Sequence, residues 1–227
     1  MMKPSIAVLS VAATALFSAA PAYAQVDRTG DIQVKGFLTG VLPDGEITDV
    51  EVDAIGVPAG SQTNVTDSVV PTLAISYFLS DNLSIETICC VTPHEVEGAG
   101  ALEGTELIGD IILLPATVTA KFHPDFGSSF RPYVGAGLAY FFFFGEEAGP
   151  DAVALGATDA SLSNELGFAL QAGFDIPLND SGWGLSVDAK RYFIDTTATF
   201  SAGDTTALQT EHKLDPWVVG AGVSYTF

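Results

Sequence analysis

Residues 217–227 read Trp-Val-Val-Gly-Ala-Gly-Val-Ser-Tyr-Thr-Phe, the last eleven positions of a 227-residue chain. Trp217, Val219, Ala221, Val223, Tyr225 and Phe227 take every second place, with Gly220, Gly222, Ser224 and Thr226 between them. A period of two belongs to a β-strand, whose successive side chains point to opposite faces. One face of this strand is apolar and the other small or polar. Aromatic residues stand at both ends of the apolar face and aliphatic ones in its middle. That profile suits a strand facing lipid, with aromatic residues at two membrane interfaces and aliphatic residues at hydrocarbon depth.

The same alternation recurs upstream. Leu166, Phe168, Leu170, Ala172, Phe174 and Ile176 alternate with Glu165, Gly167, Ala169, Gln171, Gly173 and Asp175. Over residues 131–144, Val134, Leu138, Tyr140, Phe142 and Phe144 share one face, and Arg131, Tyr133, Gly135 and Gly137 the other. Residues 72–79 and 83–88 alternate as well, and further strands are predicted over 32–42, 107–122 and 183–199. The total is eight, the smallest even number that closes a membrane barrel. Several segments reach the roughly 9–11 residues a tilted strand needs to cross the hydrocarbon. The predicted fold class is therefore all-β: an eight-stranded antiparallel transmembrane β-barrel of up-and-down topology. A soluble β-sandwich also alternates, but has no use for strands bracketed by aromatic residues.

Composition agrees. With 28 acidic residues against 8 basic ones and a formal charge of −20, nucleic acid is excluded as a partner, because phosphate-backbone affinity rests on Lys and Arg. Yet 48% of the residues are hydrophobic, with 15 Phe, 6 Tyr and 2 Trp, and the mean hydropathy is +0.35. That is more apolar surface than one small core absorbs, and too many aromatics for a disordered acidic tail. Residues 1–24 are predicted to be a signal peptide: Lys3 supplies positive charge, 6–20 are apolar or small, and Ala22-Tyr23-Ala24 is a cleavage signal. Residues 25–227 would then be the exported barrel. No later apolar run approaches the roughly 20 residues of a membrane helix.

The connections fall into two kinds. Residues 80–82, 123–129 and 179–182 are short, rich in Asp, Asn, Gly and Ser, and predicted to be turns on the inner side; 43–67, 93–106, 145–160 and 201–211 are predicted to be long outer loops. Asp44, Glu46, Asp49, Glu51, Asp53, Glu95, Glu97, Glu103, Glu106, Glu146, Glu147 and Asp151 fall in those loops. They read as a solvated rim, as carboxylates bridged by divalent cations to anionic headgroups, or as a field that repels anionic solutes.

Ordered pieces of the sequence resemble one family. Phe130-Arg131-Pro132-Tyr133-Val134-Gly135-Ala136-Gly137, Ile194-Asp195-Thr196-Thr197-Ala198, Leu214-Asp215-Pro216-Trp217 and Gly222-Val223-Ser224-Tyr225-Thr226-Phe227, with Leu113-Leu114-Pro115 and Asp81-Asn82, make the chain similar to the outer-membrane protein W (OmpW) family over most of its mature length. The resemblance implies a porin-like barrel in the bacterial outer membrane with an unusually apolar interior. It also implies transport of small hydrophobic compounds, with lateral exit toward the bilayer. Lipopolysaccharide, a small hydrophobic solute and the outer-membrane assembly machinery, which would read Phe227, are the implied partners. Some members narrow the lumen with a Leu on the third strand and a Trp on the seventh; the matching positions here are Ile88 and Lys190.

The strand registers point particular residues inward. Ile88, Ile111, Leu113, Phe141 and Phe143 are predicted to line an apolar outer lumen. Nearer the inner side Lys35, Glu86, Lys121, Arg131, Gln171, Asp175, Asp188 and Lys190 face inward, as a plug or a gate. Glu86 or Asp188 is expected to pair with Lys190, and Asp175 with Arg131 or Lys121. Pro115 and Pro71 lie within strands, where Pro removes a ladder donor; Pro115 marks either a lateral opening or a bulge. Cys89 and Cys90 should point to opposite faces and form no disulfide. His94, His123 and His212 have no metal spacing, and no Gly-x-Ser-x-Gly elbow is present, so neither an enzyme, a metal nor a cofactor is expected. The alternative to transport is a closed structural or receptor barrel with acidic outer loops.

Overall fold

The computed structural model describes residues 27–126 and 130–227, so the signal-peptide reading of 1–24 and the last part of the 123–129 turn lie outside the described residues. In chain order the elements are β1 (Ile32–Leu42), β2 (Glu46–Asp53), β3 (Ser61–Val65), β4 (Ser68–Ser80), β5 (Leu83–Cys89), β6 (Thr92–Gly100), β7 (Glu106–Phe122) and β8 (Arg131–Phe144). They continue with β9 (Glu147–Ala148), α1 (Pro150–Ala154), β10 (Asp159–Leu162), β11 (Glu165–Pro177), β12 (Trp183–Phe193), β13 (Asp195–Ala202), β14 (Thr205–Lys213) and β15 (Trp217–Thr226).

Eight of these strands close on themselves. Each of β1, β4, β5, β7, β8, β11 and β12 pairs antiparallel with the next of the set, β12 pairs with β15, and β15 returns to β1 from Gln33↔Thr226 to Leu42↔Trp217. This is the up-and-down barrel expected from the alternation, and closure leaves no open edge in the membrane. Leu38, Val118, Leu138, Leu170 and Val219 are exposed on the middle of the outer wall. Aromatic pairs sit above and below them: Phe168 on Phe193 (4.5 Å) and Phe142 on Phe144 (6.2 Å) toward the outside, Trp183 on Tyr225 (5.0 Å) and Phe130 on Phe174 (5.0 Å) toward the inside.

The predicted long loops are corrected by the structure, because they are largely β-structure. β2, β14, β13 and β10 form a separate four-stranded sheet at the outer end, and β3 and β6 extend the barrel wall. Their origin lies in strand length: the 17 residues of β7 span roughly 56 Å, well beyond an apolar band about 25 Å tall. The projecting half of β7 would expose an unpaired edge, and β6 covers it from Thr92↔Leu113 outward.

The strand predicted over 183–199 is also corrected, being two strands that meet at Ile194. The Asp215 carboxylate accepts the Ile194 N–H at 2.9 Å, and Ile194 O accepts Leu214 N–H at 3.1 Å. Asp215 itself has φ 30°. β12 thus ends on the barrel rim and β13 begins the outer sheet.

Candidate functional site

The inner half of the barrel is filled by an ion-paired layer. Glu86 accepts Lys121 Nζ at 2.5 Å and Ser76 Oγ at 3.0 Å on Oε2, and Lys190 Nζ at 3.2 Å and Gln171 Nε2 at 2.9 Å on Oε1. Asp188 takes Lys190 Nζ at 2.6 Å on Oδ1, and Gln171 Nε2 at 2.6 Å and Tyr133 O–H at 2.7 Å on Oδ2. Asp175 holds Lys35 Nζ at 2.7 Å, Ser186 O–H at 2.6 Å and Gln33 Nε2 at 3.2 Å. Lys35 and Lys121 also stand 4.4 Å and 4.6 Å from the Tyr133 ring centroid. Three lysines thus meet three carboxylates, all buried. Charge taken out of water is tolerable only when so matched.

Above this layer Tyr192 O–H lies 3.2 Å from Thr117 Oγ1, and its ring meets Phe141 edge-on at 5.3 Å. Phe141 begins the next storey, a cavity of about 270 Å³. Ile111, Leu113 and Phe143 line it from the barrel wall, Val96 from β6, and Ile47, Phe200 and Leu208 from the outer sheet. Its buried polar residues are mostly spoken for. Thr63 O–H donates to Gly45 O at 2.6 Å, Thr196 O–H to Ser163 O at 2.9 Å, and the His212 ring bridges Thr63 Oγ1 (3.0 Å) and Thr210 Oγ1 (2.6 Å). Burial in the outer sheet pushes the His212 pKa below its ordinary value.

The wall beside this cavity is not continuously laddered. The third barrel strand runs as β5 then β6, and between Leu73↔Cys89 and Val65↔Val96 no register pair joins it to β4 or β3. Near the upper edge it is crossed by Thr66 N–H to Glu95 O at 3.0 Å, Glu95 N–H to Thr66 Oγ1 at 2.9 Å and His94 Nδ1 against Thr66 O at 2.6 Å. Pro71 and Pro93, which carry no backbone donor, lie on the two sides of the interruption. On the other flank of the third strand the ladder to β7 skips from Ile88↔Thr117 to Thr92↔Leu113, and Pro115 lies in the skipped stretch.

A closed eight-stranded barrel with an outer β-extension is an architecture shared with known outer-membrane proteins. The OmpW family model matches residues 28–227. The chain belongs to the OmpW family. The outer membrane protein W of Vibrio cholerae is 33% identical over 230 residues, covering all of both chains. An uncharacterized outer-membrane protein, y4mB, of Sinorhizobium fredii is 38% identical over 184 residues, covering 81% of this chain and 76% of that one. Among solved structures, the outer membrane protein OprG from Pseudomonas aeruginosa superposes with a TM-score of 0.78 at 29% identity, covering 88% of this chain and 97% of that one. The OmpW-family barrel is an outer-membrane protein and sits in the lipid of that membrane.

Within this OmpW-family barrel, Ile111, Leu113, Phe141 and Phe143 come together around the cavity. Ile88 does not join them and instead packs with Phe37 and Ala74 in a separate cluster below. Glu86, Lys121, Asp188 and Lys190 form one connected network, with Lys190 on both Glu86 and Asp188 as expected. Asp175 is corrected: its ion pair is with Lys35, while Arg131, its register partner, is half-buried at the inner rim. Cys89 is exposed and Cys90 buried, both free. Tyr133, Tyr192 and the outer-sheet lining were not singled out by sequence reasoning. The alternation of Thr196, Ala198 and Phe200, buried at every second place, was the available signal for the last.

Proposed function

We propose that this barrel passes small hydrophobic compounds from the outside into the outer membrane, taking them up in the apolar vestibule and releasing them sideways. The observation that carries this reading is the stacking of an apolar cavity directly on a filled, ion-paired floor, beside an interrupted wall. A solute entering from outside meets charge below and a gap in the ladder to the side. The exit lies along the third strand, with Pro71 and Pro93 on one flank and Pro115 on the other. No covalent step is involved, so the barrel is not an enzyme. The acidic outer rim would meet lipopolysaccharide through divalent cations, and the terminal Phe227 would be read by the assembly machinery.

Reconstitution tests the proposal. Proteoliposomes containing the refolded chain should take up a small apolar tracer and exclude a hydrophilic one of equal size. Phe141→Asp and Phe143→Asp should each lower apolar uptake severalfold, by placing a carboxylate in the vestibule. Absence of uptake of either tracer by a folded barrel would support the closed structural or receptor barrel instead.

A further inference from the structure

The vestibule has fixed ends. Val57, Pro58 and Ala59, in the connection between β2 and β3, roof it on the outside. That connection is pinned along its length: Ala54 N–H donates to Ala207 O at 2.9 Å, Ala101 N–H to Gly60 O at 3.1 Å, and the Asp53 carboxylate accepts Gly56 and Val57 N–H at 2.7 and 3.0 Å. At the inner end Phe141 rests edge-on against Tyr192. Between these ends Phe143, Val96 and Phe200 reach the cavity from the laddered strands β8, β6 and β13. Walls built this way do not swell without breaking backbone hydrogen bonds or straining their packing. The hydroxyls on the lining, of Ser61, Thr63, Thr196 and Thr210, are each hydrogen-bonded within the protein. A chamber with spent hydroxyls and rigid ends sorts apolar solutes by how much of each it covers.

We infer that the vestibule is a size gauge, which binds apolar solutes of up to roughly eleven carbon atoms and gains nothing from the excess length of a longer one. The inference rests on the vestibule reading above and narrows its substrate class. About 150 Å³ holds the six carbons of benzene, so a cavity of about 270 Å³ holds roughly eleven. Each methylene that enters raises affinity roughly fourfold. One that does not fit lies in water outside or in lipid beside the interrupted wall, where the protein adds nothing to it. Phe200 sets the limit from the outer sheet, being the largest side chain which that sheet puts on the lining, and Ala198 lies next to it on the same buried face.

The test is an alkylbenzene series from toluene to heptylbenzene. Binding to the full chain in nanodiscs is measured by dialysis against the free aqueous concentration, and the uptake of empty nanodiscs is subtracted. Affinity should rise roughly fourfold per methylene and level off near pentylbenzene, at about eleven carbons. Phe200→Ala removes a ring from the wall and should carry the rise on through heptylbenzene. Ala198→Leu fills part of the same face and should bring the levelling down by about three methylenes. The variants move the limit in opposite directions, so loss of folding in one leaves the other decisive, and the unmutated chain reads the limit without either. A rise that continues through heptylbenzene in the unmutated chain, or a limit that neither folded variant moves, would overturn the gauge while leaving the vestibule. Binding of no member beyond that of empty nanodiscs would overturn both.

Discussion

Glu86 is the residue on which the inner barrel turns, because its two oxygens serve two lysines, a glutamine and a serine. Replacing it by Leu would leave Lys121 with Ser76 and the Tyr133 ring, and a buried cation without an anion. Loss of one partner of a buried ion pair costs about 3–5 kcal/mol, so Glu86→Leu should unfold at markedly lower urea than the parent in the same detergent. Lys190→Met should destabilise less, since Glu86 keeps Lys121 and Asp188 keeps Tyr133 and Gln171. Its apolar uptake should be unchanged, because the vestibule begins above Tyr192; a fall in uptake at equal folded protein would return Lys190 to the pathway as a gate. At this scale the sequence spoke clearly about direction and poorly about partners. Alternation alone pointed Lys35, Asp175 and Arg131 inward, but choosing between Lys35 and Arg131 for Asp175 needs their depths along three different strands.

The outer sheet is the element that departs most from what the sequence conveyed. Periodicity located the eight membrane strands within a few residues, because lipid on one side and packing on the other enforce a strict two-residue period. Outside the membrane one of those constraints is gone. Asp, Gly and Thr in 43–67 and 201–211 then read as loop, although β2 and β14 pair there. The bend at Ile194 was invisible for a related reason: inward and outward positions keep alternating through it from Tyr192 to Phe200. His212 gives this sheet an acid limit. Its folded pKa lies below the ordinary 6.5, so the unfolded sheet takes up the proton first, and stability present above that range is lost as pH falls through it. Amides of β2 and β14 should therefore exchange faster at about pH 5 than at neutrality, after correction for intrinsic rates, and His212→Gln should remove most of the difference. Separately, amides of residues 67–72 that point away from β1 should exchange faster than those of 73–78. Equal protection across the two stretches would mean the wall is sealed there by other means.

For the molecule as a whole, charge is strongly sorted. The inner layer is balanced, three against three, so nearly all of the −20 formal charge resides elsewhere, much of it on the outer strands and turns. A neutral apolar solute is indifferent to that field and an anion is not. A phenol should therefore enter faster than the matching benzoate at low ionic strength, and added salt should raise the benzoate rate while leaving the phenol rate alone, since screening shortens to about 8 Å near 0.15 M. A salt response of the neutral probe would assign the selectivity to something other than charge. β7 shows what such sorting means for how the protein is made. Its inward positions run Ile111, Leu113, Pro115, Thr117, Thr119, Lys121, grading from oily to charged along a single ribbon. Sliding that ribbon by one residue would turn Lys121 toward lipid and strip it from Glu86, leaving a buried carboxylate short of a cation. The gradient thus makes β7 a one-way key: only the register that keeps Lys121 beside Glu86 also keeps Ile111 and Leu113 on the chamber wall.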